Sequence, residues 1–303
     1  MHVAVLMSTY NGEKYLREQM DSLLNQTGVM LEIFVRDDGS TDGTIDILKD
    51  YSERNTNVRL DIGNNVGVGN SFMQLVYSVP NNFDYYAFSD QDDIWLDNKL
   101  SKAIEMIGEN EGSILYCSNQ ILIDSSGKEI GIRYDKTPNL LLEKILVHNK
   151  ATGCTMVWNS ALQKILGLHL PSEQLLKNRI HDVWVAMVAS VCGNIIYDEN
   201  SYILYRQHEN NVVGAKESTT LSVLREKVKK FKNKNLRNGR SLMAKEMVRL
   251  FPVETSSKHI LSIAADAKTF EGKKMIIKHY KDFISCSGEK KIDFIFKVVF
   301  DLF

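Results

Sequence analysis

Three aspartates fall within four residues at Asp90-Gln91-Asp92-Asp93. Carboxylates this close repel one another unless a cation or a strong donor sits among them. Hard divalent ions take oxygen ligands and keep waters and substrate phosphates in their remaining positions. A diphosphate bridged by Mg²⁺ or Mn²⁺ fits that chemistry, and so does a solvated acidic turn capping a helix that starts near Leu96. The run Asp37-Asp38-Gly39-Ser40-Thr41-Asp42-Gly43-Thr44 has two readings as well. It is a turn with Thr41 or Asp42 as an N-cap, or a carboxylate site for the ring N–H or ribose hydroxyl of a ligand. The glycine-rich stretch Asn64 to Asn70 matches neither a Walker loop nor GxGxxG and reads as a tight strand-to-helix turn. Farther on, His181-Asp182 opens a helical pattern whose apolar face includes Val185, Val188 and Val191. A carboxylate there is favoured by the helix dipole and becomes a general base if it faces a reactive cleft. His208, after Tyr205-Arg206-Gln207, is either a hydrogen-bonded surface histidine or an imidazole ligand beside carboxylates.

The elements that must carry these residues are legible from periodicity. Strands are expected at Val3 to Ser8, Leu31 to Arg36, Val58 to Ile62, Tyr85 to Ser89 and Ile114 to Ser118. Helices are expected at Glu13 to Asn25, Thr44 to Glu53, Ser71 to Val79 and Asn98 to Gly108. That alternation predicts an α/β fold with a mostly parallel sheet flanked by helices. The clusters at Ser8-Thr9-Tyr10-Asn11, Asp37-Asp38 and Asp90 to Asp93 each follow a strand, which places them on the carboxyl edge where open sheets bind ligands. Beyond residue 119 the alternation breaks. A hairpin is expected over Gln120 to Arg133, a strand over Thr155 to Trp158, a helix over Asn178 to Val191, and short strands at Ile195 to Tyr197 and Tyr202 to Gln207. After about 216 the chain reads as helices only, so a boundary is expected near 215, dividing residues 1–215 from a helical C-terminal region, 216–303.

Composition bounds the possibilities. The 303 residues are 44% hydrophobic and 25% charged with a formal charge of −1, so no overall field recruits a polyanion. Cys117, Cys154, Cys192 and Cys286 lie far apart without a CxxC pair, which disfavours a disulfide framework and a cysteine zinc site. No apolar run reaches the ~18 residues needed to span a bilayer, and the uncharged run Val3 to Met7 is short for a signal peptide. A cytoplasmic protein is expected.

In this order the residues resemble the family 2 inverting glycosyltransferases of the GT-A fold, from residue 1 to about 214. The resemblance rests on Ser8-Thr9-Tyr10-Asn11-Gly12-Glu13-Lys14-Tyr15-Leu16, Asp37-Asp38-Gly39-Ser40-Thr41-Asp42 and Asp90-Gln91-Asp92-Asp93. Ser89-Asp90-Gln91-Asp92-Asp93-Ile94-Trp95 and Tyr205-Arg206-Gln207-His208-Glu209-Asn210-Asn211 look most like bacterial rhamnosyltransferase-type enzymes of surface polysaccharide assembly. The resemblance implies a donor pocket of Thr9, Tyr10, Glu13 and Asp37 with Asp38 nearby, and Asp90 facing the ribose and diphosphate. It implies Asp92 and His208 as ligands of Mn²⁺ or Mg²⁺ and Asp182 as catalytic base, with His181 where an acidic residue is more usual. Thr152-Gly153-Cys154 matches an acceptor-side segment of the family, and reads equally as a turn entering the next strand. The implied partners are a dTDP- or UDP-linked sugar, rhamnose included, and a saccharide or lipid-linked acceptor.

Two other classes compete. A nucleotidyltransferase would carry a basic glycine-rich loop after its first strand, where this chain has Ser8-Thr9-Tyr10-Asn11-Gly12. A non-catalytic sugar-binding subunit would have no need of Asp37, Asp90, Asp92, Asp182 and His208 together. Between Arg225 and Arg249 ten basic residues face two acidic ones, Lys227, Lys229, Lys230, Lys232 and Lys234 among them, and the chain ends in the apolar Ile292 to Phe300. That combination is expected either to lie on the anionic inner face of a membrane or to form a solvated face and a packed terminal helix. Nucleic acid is not expected, since Phe231 is the only aromatic residue in the basic stretch.

Overall fold

A computed structural model describes residues 1–178, 181–208, 238–251, 255–285 and 289–303. Strands β1 (His2–Thr9), β2 (Met30–Asp37), β3 (Val58–Ile62) and β4 (Tyr85–Ser89) run parallel in the order β3-β2-β1-β4. Helices α1 (Leu16–Leu24), α2 (Thr44–Arg54) and α3 (Val68–Ser78) make the crossovers. Val3 to Met7 are wholly buried, as expected of a central strand covered on both faces. Leu16, Met20 and Leu23 of α1 and Leu48 of α2 pack on the same core. Register aligns the strand ends: Thr9 sits opposite Asp37, and Met7 opposite Ser89. The segments after β1, β2 and β4 therefore leave the sheet along one edge.

Past β4 come β5 (Ile94–Trp95), α4 (Lys99–Ile107), β6 (Ile114–Ile123) and β7 (Glu129–Ile132). After α5 (Leu142–Val147) a 3-10 turn at Gly153–Thr155 leads into β8 (Val157–Asn159) and α6 (Ser160–Leu168). Helices α7 (Glu173–Asn178) and α8 (His181–Cys192) precede β9 (Asn194–Arg206). The whole sheet reads β3-β2-β1-β4-β8-β6-β9-β5, with β8 antiparallel to β4 and β6, and β7 paired to β6 as the expected hairpin.

Two expectations are corrected. The two short strands near 195 and 202 are one strand, β9, parallel to the long β6 from Ile114↔Asn194 to Ile123↔Arg206. Glu199 and Asn200 have no opposite number in that register, and Asn200 N–H donates to Asp198 Oδ1 at 2.9 Å. The polar run between the two expected strands is a bulge held by an Asp. The expected helix over 178–191 is present as α8, described from His181 to Cys192. Thr155 belongs to the 3-10 turn, not to the strand, because its N–H donates to Thr152 O at 3.0 Å.

The chain packs into two compact units, Met1–Thr137, Ala151–Leu168 and Gly193–Gly214 forming the first and Pro138–Lys150, His169–Cys192 and Ala215–Phe303 the second. The units interleave in sequence where a single boundary near 215 was expected. The second unit is helical, with α9 (Gly239–Leu250), α10 (Thr255–Ala265), α11 (Phe270–Lys278), α12 (Tyr280–Ile284) and α13 (Lys291–Val299). Helix α8 buries Val183 to Ala189 without a break, and a helix apolar on all sides needs cover on all sides. Helices α5 and α9 pack on it, which draws 138–150 and 169–192 into this unit. Phe283, Phe294 and Phe303 form a ring cluster with centroids 5.7–5.9 Å apart, and Arg240 donates to Val147 O at 2.6 Å.

Candidate active site

At the carboxyl edge the loops after β1 and β2 are stitched together. Thr9 Oγ1 donates to Asp37 Oδ2 at 2.8 Å, and Ser40 Oγ donates to the same oxygen at 2.6 Å. Asp37 Oδ1 accepts the N–H groups of Gly39 and Ser40. Gly39 has φ +80°, the left-handed turn that lets both amides face the carboxylate. Asp37 is wholly buried, so a ligand reaching it displaces one of these donors. Asp38 is engaged too: it pairs with Arg36 at 2.6 Å and accepts the N–H groups of Val66 and Gly67 at 2.9 Å. It anchors the glycine-rich loop ahead of α3.

Asn11 takes φ +48°, donating its N–H to Ser40 Oγ and accepting from Thr41 N–H, both at 2.8 Å. Glu13 Oε2 accepts Gly43 N–H at 2.6 Å, and Asp42 Oδ1 accepts Thr44 N–H at 3.0 Å. The N-cap of α2 is Gly43, not Thr41 or Asp42 as the sequence suggested; Glu13 and Asp42 take the amides of Gly43 and Thr44, two of the orphan N–H groups at that helix start. Burial would raise the Asp42 pKa, but the hydrogen bonds from Thr44 and Glu13 outweigh it and hold the group below the ordinary carboxylate value. Tyr10 remains exposed, and its backbone is clamped by Gln91, which accepts Tyr10 N–H at 2.8 Å and donates to Tyr10 O at 3.1 Å. A Cβ at Gly12 would collide with the Gln91 side-chain amide and break that clamp. Nothing local in the sequence marks Gln91 as an amide that pairs with a backbone 81 residues away.

Asp90, Asp92 and Asp93 part company. Asp92 Oδ2 lies 2.7 Å from His208 Nε2, with both side chains partly exposed. Asp93 is wholly buried, and its Oδ1 accepts Arg206 N–H at 3.0 Å. Burial, then Asp92 and Asp90, push the Asp93 pKa well up. Asp90, Asp93 and Cys154 bring ligand atoms within 4.8 Å of one another. Cys154 is buried and its thiol is likewise pushed well up, chiefly by burial. Asp93 and Cys154 are closed off from solvent and a thiol is a soft ligand, whereas Asp92 and His208 set a carboxylate oxygen beside an imidazole at a partly exposed position. The Asp92–His208 pair fits Mn²⁺ or Mg²⁺, with Asp90 close in the chain. Of Thr152, Gly153 and Cys154, only Thr152 keeps exposed surface.

Behind this loop lies a lysine that the sequence reading treated only as part of a helix. Lys99 is 1% exposed, and its Nζ sits 3.4 Å from the centroid of the Trp95 ring. Burial pulls its pKa from 10.5 to about 7, against the opposing pull of Cys154 and Asp93. A lysine depressed in the folded state leaves the unfolded chain binding more protons across the interval between those values. Stability is therefore lost as pH falls through it and regained as pH rises. We expect the unfolding free energy of the wild type in urea to rise from pH 7 to pH 9, by up to about 1 kcal/mol per pH unit, with that slope missing in Lys99→Met. Identical slopes in the two proteins would show that Lys99 titrates normally.

His181 and Asp182 open α8 in the second compact unit. Burial pushes the His181 imidazole down to about 3, so it stays neutral at physiological pH. Asp182 is 9% exposed, and its Oδ1 accepts Val183 N–H at 2.6 Å.

Residues 4–166 match the family described as Glycosyl transferase family 2, and the chain belongs to it. It is 32% identical over 216 residues to the dTDP-rhamnosyl transferase RfbG of Shigella flexneri, covering 69% of this chain and 74% of that protein. It is 29% identical over 157 residues to the UDP-Glc:alpha-D-GlcNAc-diphosphoundecaprenol beta-1,3-glucosyltransferase WfgD of Escherichia coli, covering 51% and 58%. The chain spans 64% of the length of two uncharacterised Rickettsia glycosyltransferases that are 28% and 27% identical to it. The S. aureus TarS 1-349 structure in complex with UDP-GlcNAc aligns over all of this chain and 88% of that one, with a TM-score of 0.63 at 20% identity. The mannosyltransferase PcManGT of Pyrobaculum calidifontis, in complex with GDP-Man and Mn2+, aligns over 99% and 86% with a TM-score of 0.55 at 12% identity. The fold is GT-A, as the motifs implied, and the nucleotidyltransferase alternative falls.

Proposed function

We propose that this chain is an inverting, metal-dependent glycosyltransferase of bacterial surface polysaccharide synthesis. It moves a sugar, rhamnose first among the candidates, from a dTDP- or UDP-linked donor to a saccharide or lipid-linked acceptor. The observation that carries this reading is the Asp92–His208 pair at 2.7 Å, two donor types joined across 116 residues of sequence. The stitched loops of Thr9, Tyr10, Glu13 and Asp37 form the base and ribose side, with Asp38 holding the loop behind them, and Asp90 faces the ribose and diphosphate. Asp92 and His208 would hold a divalent ion, which when bound would supply positive charge beside the departing nucleoside diphosphate. Asp182 takes the proton from the acceptor hydroxyl as that oxygen attacks the anomeric carbon, and the configuration inverts. One carboxylate suffices on the acceptor side, unlike the close pair of a retaining hydrolase. Thr152 is the surface member of the acceptor-side segment. A thermal-shift series over nucleoside diphosphates with Mn²⁺ tests the donor side. dTDP or UDP is expected to raise the melting temperature most, and a flat response to every nucleotide would contradict the reading.

The acceptor side of the proposal includes a membrane surface. Among the described residues no helix is long and apolar enough to cross a bilayer. The exposed side of α13 carries Ile292, Phe296 and Val299, followed by Phe300, with Lys290 and Lys291 exposed at its start. An apolar stripe beside lysines suits an anionic interface. Lys227, Lys229, Lys230, Lys232 and Lys234 lie outside the described residues. The protein is expected to float with anionic vesicles at low salt and the double variant Ile292→Asp/Phe296→Asp to stay behind; equal flotation would remove α13 from the contact.

A further inference from the structure

Arg206 has no part in the chemistry above, yet it is 1% exposed and closes β9 two residues before His208. Its N–H donates to Asp93 Oδ1, and its Nε donates to Asp92 O, both at 3.0 Å. Nη2 donates to Glu18 Oε2 on α1 at 2.8 Å. The guanidinium carbon lies 4.4 Å from the centroid of the Tyr15 ring, and that ring lies 5.3 Å from the His208 ring. One side chain thus grips the main chain of Asp92 while its own strand end presents His208 to the Asp92 carboxylate.

We propose that Arg206 is a positioning residue for the metal pair, a strut that sets the spacing of Asp92 and His208 and thereby the affinity of the site for a divalent cation. The proposal rests on the reading of those two residues as ligands. His208 follows the strand end by two residues, and its base is held by Gln207 N–H, which donates to Ile123 O at 2.8 Å, as well as by Arg206. Arg206 fixes it at three points: the Asp92–Asp93 loop, α1 through Glu18, and the Tyr15 ring under the imidazole. A cation this buried is a poor investment for stability alone, since its carboxylate partner Glu18 is half exposed. The two directed donors also explain why arginine stands here. Nε and Nη2 leave a rigid planar fork toward different acceptors, a geometry that a lysine ammonium cannot reproduce. Partners behind a ligand shell typically change metal affinity 10- to 100-fold when lost.

The test is direct Mn²⁺ binding by the full chain, read from the EPR signal of free Mn²⁺, with far-UV circular dichroism and melting as fold controls. Arg206→Lys is expected to raise the Mn²⁺ dissociation constant about tenfold or more. The Mn²⁺ concentration for half-maximal activity should shift by the same factor, while turnover at saturating Mn²⁺ stays within about threefold. A merely structural role would lower the melting temperature and leave the Mn²⁺ constant unmoved, and that result overturns the proposal. If Arg206→Lys does not fold, Glu18→Gln loosens the outer end of the strut from a half-exposed position. A Mn²⁺ constant equal to wild type in that variant also overturns it. Asp92→Ala separates the two readings: if it binds Mn²⁺ like wild type, the ligand assignment fails and the strut falls with it. If Asp92→Ala loses Mn²⁺ while Arg206→Lys keeps it, only the strut fails.

Discussion

Asp92→Ala is expected to abolish sugar transfer and metal-dependent donor binding while the protein stays folded. The reason lies in what the carboxylate touches. Its Oδ2 faces His208 Nε2 at a partly exposed position, whereas the contact that ties this loop to the core, Arg206 Nε to Asp92 O, uses the main chain and survives the substitution. Removing the carboxylate takes away the oxygen ligand proposed for the ion, and an imidazole alone would hold Mg²⁺ or Mn²⁺ weakly. Isothermal titration of a nucleoside diphosphate with and without Mn²⁺ measures the effect. Unchanged Mn²⁺-dependent binding in the variant would mean that the ion sits elsewhere, with the Asp90, Asp93 and Cys154 group as the next place to look.

Asp182→Asn is expected to keep donor binding and lose roughly two to four orders of magnitude in turnover, the usual contribution of a positioned base. The amide is nearly isosteric, and its Oδ1 can still accept the Val183 N–H that the carboxylate accepts at 2.6 Å, so the first turn of α8 is preserved. What is lost is the capacity to take a proton. His181 is the other titratable group at that helix start, but burial pushes its pKa down to about 3, and an imidazole so weakly basic is a poor substitute at neutral pH. Single-turnover transfer at saturating donor measures the loss. Turnover close to wild type would move the base away from Asp182.

β1, β2 and β4 were legible because central parallel strands are nearly continuous apolar runs, and the polar clusters that end them announce the edge they share, while β3 at the sheet edge shows the alternation of Val58, Leu60 and Ile62 with Arg59 and Asp61. Val58–Ile62 and Tyr85–Ser89 fall where the pattern puts them. The long β9 was not legible, because Asp198 to Ser201 carries turn chemistry that the fold spends on a bulge inside a strand. Nor was the interleaving of the two units, which depends on what covers α8 and not on any local change in composition. At the site, the residue types that could meet a ligand were evident from their crowding. The residues that hold them were not: Gln91, Lys99 and Arg206 act through partners distant in sequence or through burial, and an arginine beside a tyrosine in a strand carries no mark of being a strut. Asp37 and Asp38 look interchangeable in sequence, yet one closes the turn against Thr9 while the other ties Arg36 to the glycine-rich loop.

Release of nucleoside diphosphate from nucleotide sugars by the purified protein, with and without Mn²⁺, tests the central claim most directly. The expected result is Mn²⁺-dependent release from a dTDP- or UDP-linked sugar, slow into water and faster when a saccharide acceptor is added. A protein that binds the nucleotide in thermal shift but releases none from any nucleotide sugar, with metal and acceptor present, would contradict it and leave a sugar-binding subunit that does no transfer.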